Sequence, residues 1–431
     1  MGTCSRQIEN YLSNIVTTLN QNIMRKICIH FQVIQPHLLR TYRFFDINQK
    51  HNYFDEYQNN YLINRIANRC YTPANQMMLE LINRFKETLF FSFSISGSTI
   101  RLFQEYCPEV LDSFKDLVDT GNVEITGSTF THSLAALNNK TSFLEQVQLQ
   151  EKLLYEVFEV KPTTFCNTEI IYSDEIGEWL YEAGYKVVLT EGAKHLLGWK
   201  SPSYLYCNPY ETDLKLLLRN YQLCDDVSLR FNDMGWDQYP LTSEKFISFI
   251  DGIQQDAPFV NLFWDYETMG VIQPKETGIF EFFKAFFENL CTQDRFQLIT
   301  PSSTIEATEP ASTLHAPWAI SCSGDEKDTN EWLGNELQHE AFEQLFKLEP
   351  LYLNSNNQEA KLAWLRLQNA FHYNFMSTKW FPKQAVKRIF DVYSSPYQAF
   401  INYMNVLNDV KIQLENSQIE PETIKPKTIK I

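Results

Sequence analysis

Residues 259–270 read FVNLFWDYETMG, and no other stretch constrains the fold as much. Five of its first six residues are apolar, with only Asn261 interrupting; Asp265, Tyr266, Glu267 and Thr268 then arrive together, shortly before Gly270. A short, bulky apolar run of this kind predicts a strand buried on both faces, as in a parallel sheet. Acids at the end of such a strand stand where barrel enzymes keep their catalytic groups, although an acid there also serves simply to cap a turn or a helix.

The preceding chain supplies the sheet. Strand-like segments occur at 27–33, 89–95, 122–127, 163–168 and 186–190, with shorter candidates at 204–207, 214–218 and 227–231. Helical periodicity runs through 61–85, 102–118, 143–158, 174–184 and 243–255. Repeated strand–loop–helix units predict an α/β fold with a parallel sheet, and they favour a barrel. After a Ser/Thr/Pro/Ala-rich connection at 301–317 the strand signals fade. Helical patterns at 331–348, 357–377, 385–392 and 396–407 then predict a small helical domain packed on the barrel. Residues 1–23 form a polar extension, and the chain turns polar again from Glu415.

Composition narrows the partners. Against 37 Lys and Arg stand 53 Asp and Glu, a formal charge of −16, which argues against nucleic acid and anionic membranes. Aromatic residues make up 14% of the chain and suit surfaces that stack on flat ligands such as sugars. The nine cysteines are scattered without a CxxC pair, so free thiols in a reducing compartment are expected, and the chain reads as cytoplasmic. No HExxH, P-loop or Rossmann pattern occurs, and neither a metal nor any other cofactor is expected.

A second acid, Glu169 in FCNTEIIY, also ends a strand-like run. Two such carboxylates are the usual machinery of glycoside hydrolysis, one as nucleophile and one as general acid/base, but position alone leaves open whether these two are a pair. Other side chains suited to a sugar site are His132, His195, Trp199, Trp264 and Trp332. Asp225 and Asp226 precede the strand candidate at 227–231. Glu267 is a rival to Asp265, since residues two apart share a face of an extended strand.

Four segments in consistent order, FQVIQP at 31–36, FCNTEIIY at 165–172, NLFWDYETMG at 261–270 and EWLGNELQ at 331–338, resemble the signature regions of glycoside hydrolase family 57, in its α-amylase-like branch. THSLAAL at 131–137, LTEGAKHLLGWKSP at 189–202, DDVSLRF at 225–231 and SPYQAFINYMNVLND at 395–409 extend the likeness. The resemblance implies an incomplete parallel (β/α)7-type barrel over 24–300 and a helical domain over 301–415 that completes the active site, with 1–23 an extension and 416–431 a tail. It implies a retaining mechanism on an α-glucan or maltooligosaccharide, with Glu169 as nucleophile and Asp265 as acid/base. By the same resemblance Asn167, His132, His195, Trp199, Asp226, Trp264, Glu267 and Trp332 are assigned to substrate binding.

The departures from the family pattern are apolar or small. Ile34 stands where the family has His, Ser128 where it has Glu, and Phe130 and Thr131 where it has two tyrosines. Cys166 replaces Arg, and Val271 and Ile272 replace an acidic and a His residue. Cys322 and Gly324 replace Trp and Asp, and Phe371 replaces Asp. Two readings follow: a glycoside hydrolase or transglycosylase with an altered pocket, or a protein on the same fold that binds glucan or a partner without turnover.

Overall fold

The computed structural model describes residues 24–254, 256–307, 309–379 and 392–418. The extension at 1–23, most of the helix expected at 385–392 and the tail beyond 418 lie outside them. The strands are β1 (Arg25–Val33), β2 (Phe91–Ile95), β3 (Val123–Ile125), β4 (Thr164–Cys166), β5 (Val187–Glu191), β6 (Tyr206–Cys207), β7 (Lys215–Arg219) and β8 (Phe259–Asp265). β1 is central and pairs in parallel with β8 and β2, and β2 pairs with β3. A second sheet runs β4–β5–β7, also parallel.

The two sheets curl toward each other. A single bridge, Gly127 to Phe165, joins the β3 edge to β4. On the other side Asn220 N donates to Asn261 O at 2.9 Å, and Asn261 Nδ2 donates to Leu218 O at 3.1 Å. Seven parallel strands thus make an incomplete ring, the barrel that the repeated units favour in the (β/α)7-type form that the family resemblance implies. The strand Phe296–Ile299 adds to the lower half of β1, and antiparallel β6 adds to the lower half of β7.

Burial follows the pattern of the strands. Every residue of β2, β4 and β5 is buried, the serines of β2 included, as in strands covered on both faces. The Phe31 ring lies 5.1 Å from Tyr266, 5.9 Å from Phe93 and 6.1 Å from Phe283, centroid to centroid, joining sheet to helices. Rings packed at these separations contribute beyond the area they bury, by about 0.5–1.5 kcal/mol per pair.

Several elements differ from expectation for local reasons. The helix expected at 61–85 is two, Glu56–Ile66 and Thr72–Arg84, separated by a π-turn. The one expected at 102–118 breaks at Cys107, because Pro108 has no N–H to continue the ladder. The strand expected at 227–231 is absent: Tyr221–Ser228 is a helix, capped by Asn220, whose Leu223, Cys224 and Val227 share its buried side. Asp225 and Asp226 therefore sit within a helix. The helix Pro396–Glu415 also runs further than the expected 396–407. Among the described residues no helix is long and apolar enough to cross a membrane.

The helical region grips the upper end of the barrel. Asn369 Nδ2 donates to Thr131 O at 2.6 Å, Ala370 N to His132 O at 3.0 Å, and Ser133 Oγ to Gln368 Oε1 at 2.8 Å. These bonds seat the loop after β3 against the helices and fix where His132 stands.

Candidate active site

Parallel strands all deliver their C-terminal ends to one face, so residues just beyond β1, β4, β7 and β8 converge there. After β4 the chain turns within a few residues. Asn167 drives the turn: its Oδ1 accepts from Thr168 N at 2.8 Å, and its Nδ2 donates to Ile171 O at 2.9 Å. Thr168 Oγ1 donates to Ser133 O at 2.7 Å, tying the turn to the loop after β3. Glu169 and Ile170 both take positive φ, 50° and 48°. For residues with a Cβ that backbone costs about 1–3 kcal/mol each and persists only where surroundings over-determine it. The turn lifts the Glu169 carboxyl off the strand line toward the barrel mouth, one fifth exposed.

Two groups hold that carboxyl. His132 Nε2 lies 3.0 Å from Glu169 Oε1, and the Cys322 thiol donates to Oε2 at 3.3 Å. Cys322 N also donates to Glu169 O at 3.2 Å, so the strap from the helical region is bonded to both backbone and side chain of this residue.

Asp265 ends β8, half-buried, directly opposite Gln32 in the β1 ladder. Gln32 Nε2 in turn donates to Cys166 Sγ at 3.0 Å, so this side chain spans from β1, the neighbour of the Asp265 strand, to β4. Burial pushes the Cys166 thiol up to about 12, and the charges of Glu169 and Asp265 both push the same way. The two carboxylates thus act on one buried thiol. Asp265 faces a cavity of about 20 Å³, room for one water, shared with Gln32, Ile170, Arg219, Trp264 and Cys322.

Glu267 does not lie beside Asp265 as strand alternation would have it. Residues Tyr266–Thr268 form a 3₁₀ turn, which breaks the two-residue period. Its carboxyl is buried and accepts from Gln35 Nε2 at 2.8 Å and from the Tyr71 hydroxyl. Burial pushes it up to about 7; the Tyr71 hydrogen bond resists and the Asp265 charge assists. A carboxyl held this way supports the floor beneath Asp265.

The remaining predicted residues scatter. Trp264 lies in the core, its Nε1 donating to Cys224 O at 3.0 Å, and only its edge reaches the small cavity. Trp332 is buried in the helical region. His195 and Trp199 are exposed on the loop after β5. Asp226 pairs with Arg230 at 2.6 Å on the helix Tyr221–Ser228 and the turn beyond it. Asp225 instead binds Arg219.

Arg219, which sequence reading passed over, ends β7 and is almost fully buried. It donates to Glu191 Oε2 at 3.0 Å, Asp225 Oδ1 at 2.7 Å and Phe263 O at 3.1 Å. Burial works against its charge, but Asp225, Cys224 and Glu191 hold the guanidinium well above its ordinary value. Lys327 Nζ stands 3.8 Å from the same Glu191 oxygen. Gln32 and Cys322 were also not picked out as site residues. Gln32 was legible only as part of FQVIQP, and Cys322 only as a departure from the family pattern.

Three of the departures are buried. Phe371 packs 6.0 Å from the His132 ring, centroid to centroid, and Ile34 is buried. Ser128 is buried, and its hydroxyl has no partner among the described residues.

Comparison with known proteins gives these residues a context. The model for glycosyl hydrolase family 57 matches residues 28–317. A Methanocaldococcus jannaschii protein named "Putative alpha-amylase" is 34% identical over 405 residues, covering 90% of this chain and 85% of that one. The Pyrococcus furiosus alpha-amylase is 23% identical over 58% of this chain, but the match spans only 37% of its own length. Among solved structures, a branching enzyme of this type from Pyrococcus horikoshii superposes with a TM-score of 0.64 at 13% identity, over 85% of this chain and 88% of that one. The 4-alpha-glucanotransferase from Thermococcus litoralis superposes at 0.58 and 16% identity, over 81% and 56%. At such identities the structural likeness speaks for the fold.

Proposed function

We propose that this chain, which belongs to glycosyl hydrolase family 57, is a retaining enzyme acting on α-linked glucans, with Glu169 as nucleophile and Asp265 as general acid/base. The observation that carries the reading is the strained turn after β4. It carries one carboxylate just beyond the C-terminal end of β4, while Asp265 ends β8, the ladder neighbour of β1, whose Gln32 reaches across to β4. Relatives named alpha-amylase and 4-alpha-glucanotransferase support an α-glucan as substrate for either hydrolysis or transfer.

In this reading Glu169 attacks the anomeric carbon as Asp265 gives its proton to the departing glycosidic oxygen. Asp265, now ionised, takes a proton from water or from an acceptor sugar hydroxyl, and that oxygen displaces Glu169. Asn167 is a positioning residue that acts through the turn. His132 and Cys322 hold the two Glu169 oxygens, and Trp199 and His195 lie on a loop open to a longer chain. The division into a barrel at 24–300 and a helical domain at 301–415 belongs to the same proposal, with Phe371 and Cys322 as the helical side of the pocket. Eight described cysteines are free thiols, which supports a cytoplasmic setting.

The test is turnover of maltooligosaccharides and glycogen by wild type, Glu169→Gln and Asp265→Asn. Wild type is expected to release or transfer sugar with the α-anomer formed first, and each variant to lose at least about a thousandfold. If wild type binds these glucans but never turns them over, the protein is a binder on an enzyme fold.

A further inference from the structure

Trp318 is 82% exposed and Trp199 93%, whereas the other described tryptophans are buried or half-buried. An exposed aromatic side chain is unremarkable when it sits on a mobile surface loop. Trp318 is held differently. The segment from Ala316 to Cys322 runs antiparallel along the catalytic turn and its continuation. Cys322 N donates to Glu169 O at 3.2 Å. Ile320 and Tyr172 exchange bonds of 2.9 and 3.0 Å, and Asp174 N donates to Ala316 O at 2.9 Å. The Asp174 side chain completes the anchor by accepting from Ala316 N at 2.9 Å.

Trp318 therefore sits midway between two bonded points, with Pro317 fixing the backbone ahead of it. Four residues of extended chain place its Cα no more than about 13 Å from that of Cys322, whose thiol touches Glu169. The loop carrying Trp199 is tied toward the same strap by Lys200 Nζ, which donates to Ser312 Oγ at 2.9 Å. A rigid, wet indole a few sugar rings from a nucleophile has the shape and chemistry to stack against the apolar face of a pyranose.

We propose that Trp318 floors an outer subsite for an α-glucan chain, holding glucosyl units a few rings away from the bond that Glu169 attacks. The inference rests on the α-glucan reading above and deepens it, since such a subsite makes the enzyme prefer longer chains. His315, on the far side of Pro317, is exposed and paired with Asp174 at 2.6 Å, a further tie at the anchored end of the segment.

The experiment compares wild type, Trp318→Ala and Trp318→Phe on maltotriose and on maltoheptaose. Trp318→Ala is expected to raise KM for maltoheptaose roughly 3- to 10-fold while leaving kcat and the maltotriose constants unchanged, and Trp318→Phe to keep most of the preference. Maltoheptaose should quench indole fluorescence in Glu169→Gln and quench it less in the double variant with Trp318→Ala. A Trp318→Ala enzyme indistinguishable from an active wild type, or one equally impaired on both substrates, overturns the subsite alone. A wild type that neither binds nor converts any α-glucan overturns the functional reading, and the subsite with it.

Discussion

Glu267 makes the protein's stability depend on pH in a direction opposite to that of an ordinary salt-bridged acid. Its carboxyl titrates near 7 in the folded chain, against an ordinary 4.5, chiefly because it is buried. The folded state therefore holds the proton more tightly than the unfolded state. The stability this group contributes is complete below about pH 4.5 and is lost as pH rises toward and through 7. The difference corresponds to about 3 kcal/mol. Glu267→Gln supplies a neutral side chain of the same shape, whose Oε1 can still accept from Tyr71 and Gln35, as the carboxyl oxygen does. Urea unfolding of both proteins from pH 5 to pH 8 isolates the effect, because all other titrations are shared. The variant should exceed wild type by under about 1 kcal/mol at pH 5 and by up to about 3 kcal/mol at pH 8. Parallel curves across the range, or a variant equally destabilised throughout, would refute the assignment of Glu267 as a buried acid that is neutral in the folded protein at low pH.

Two further expectations concern groups around the nucleophile. Arg219→Met leaves the buried Glu191 carboxylate with the Gly192 N–H at 2.9 Å and Lys327 at 3.8 Å as its nearest cation, and denaturant unfolding should register a loss of about 3–5 kcal/mol; a loss below about 1 kcal/mol would mean the network is incidental. Cys322→Ala removes the thiol donor on Glu169 Oε2 and should lower kcat by about 2- to 10-fold with little change in melting temperature. Cys322→Ser should restore most of the rate, since a hydroxyl can make the same bond.

The barrel was legible because its strands carry their burial in composition. β2 and β5 are buried throughout, and the alternation of aromatic with small residues in the one and the β-branched run in the other located them. The strand expected at 227–231 rests on the alternation of Val227, Leu229 and Phe231 with polar residues, while Val227 and Ser228 in fact close the helix Tyr221–Ser228, whose cap at Asn220 lies outside that window. In the site, Glu169 and Asp265 could be picked out because each ends a strand-like run, and Asn167 and His132 through the family resemblance. Two other supports could not. Cys322 reaches Glu169 across 153 positions, and Gln32 reaches Cys166 across 134. Contacts of that range come from topology, which local periodicity does not encode. Glu267 shows the limit of a periodicity argument at an element's edge: the alternation holds to Asp265 and fails at the next residue, where the 3₁₀ turn begins.

The central claim is that Glu169 forms the covalent bond to the sugar, and trapping tests it most directly. A fluorinated α-glucosyl fluoride slows release of the glycosyl-enzyme, and Asp265→Asn slows it further by removing the base that activates water. Peptide mass spectrometry of the treated protein should find one sugar adduct, on Glu169, and none in Glu169→Gln. An adduct on Asp265 or Glu267 would contradict the account, as would inverted products with no adduct at all.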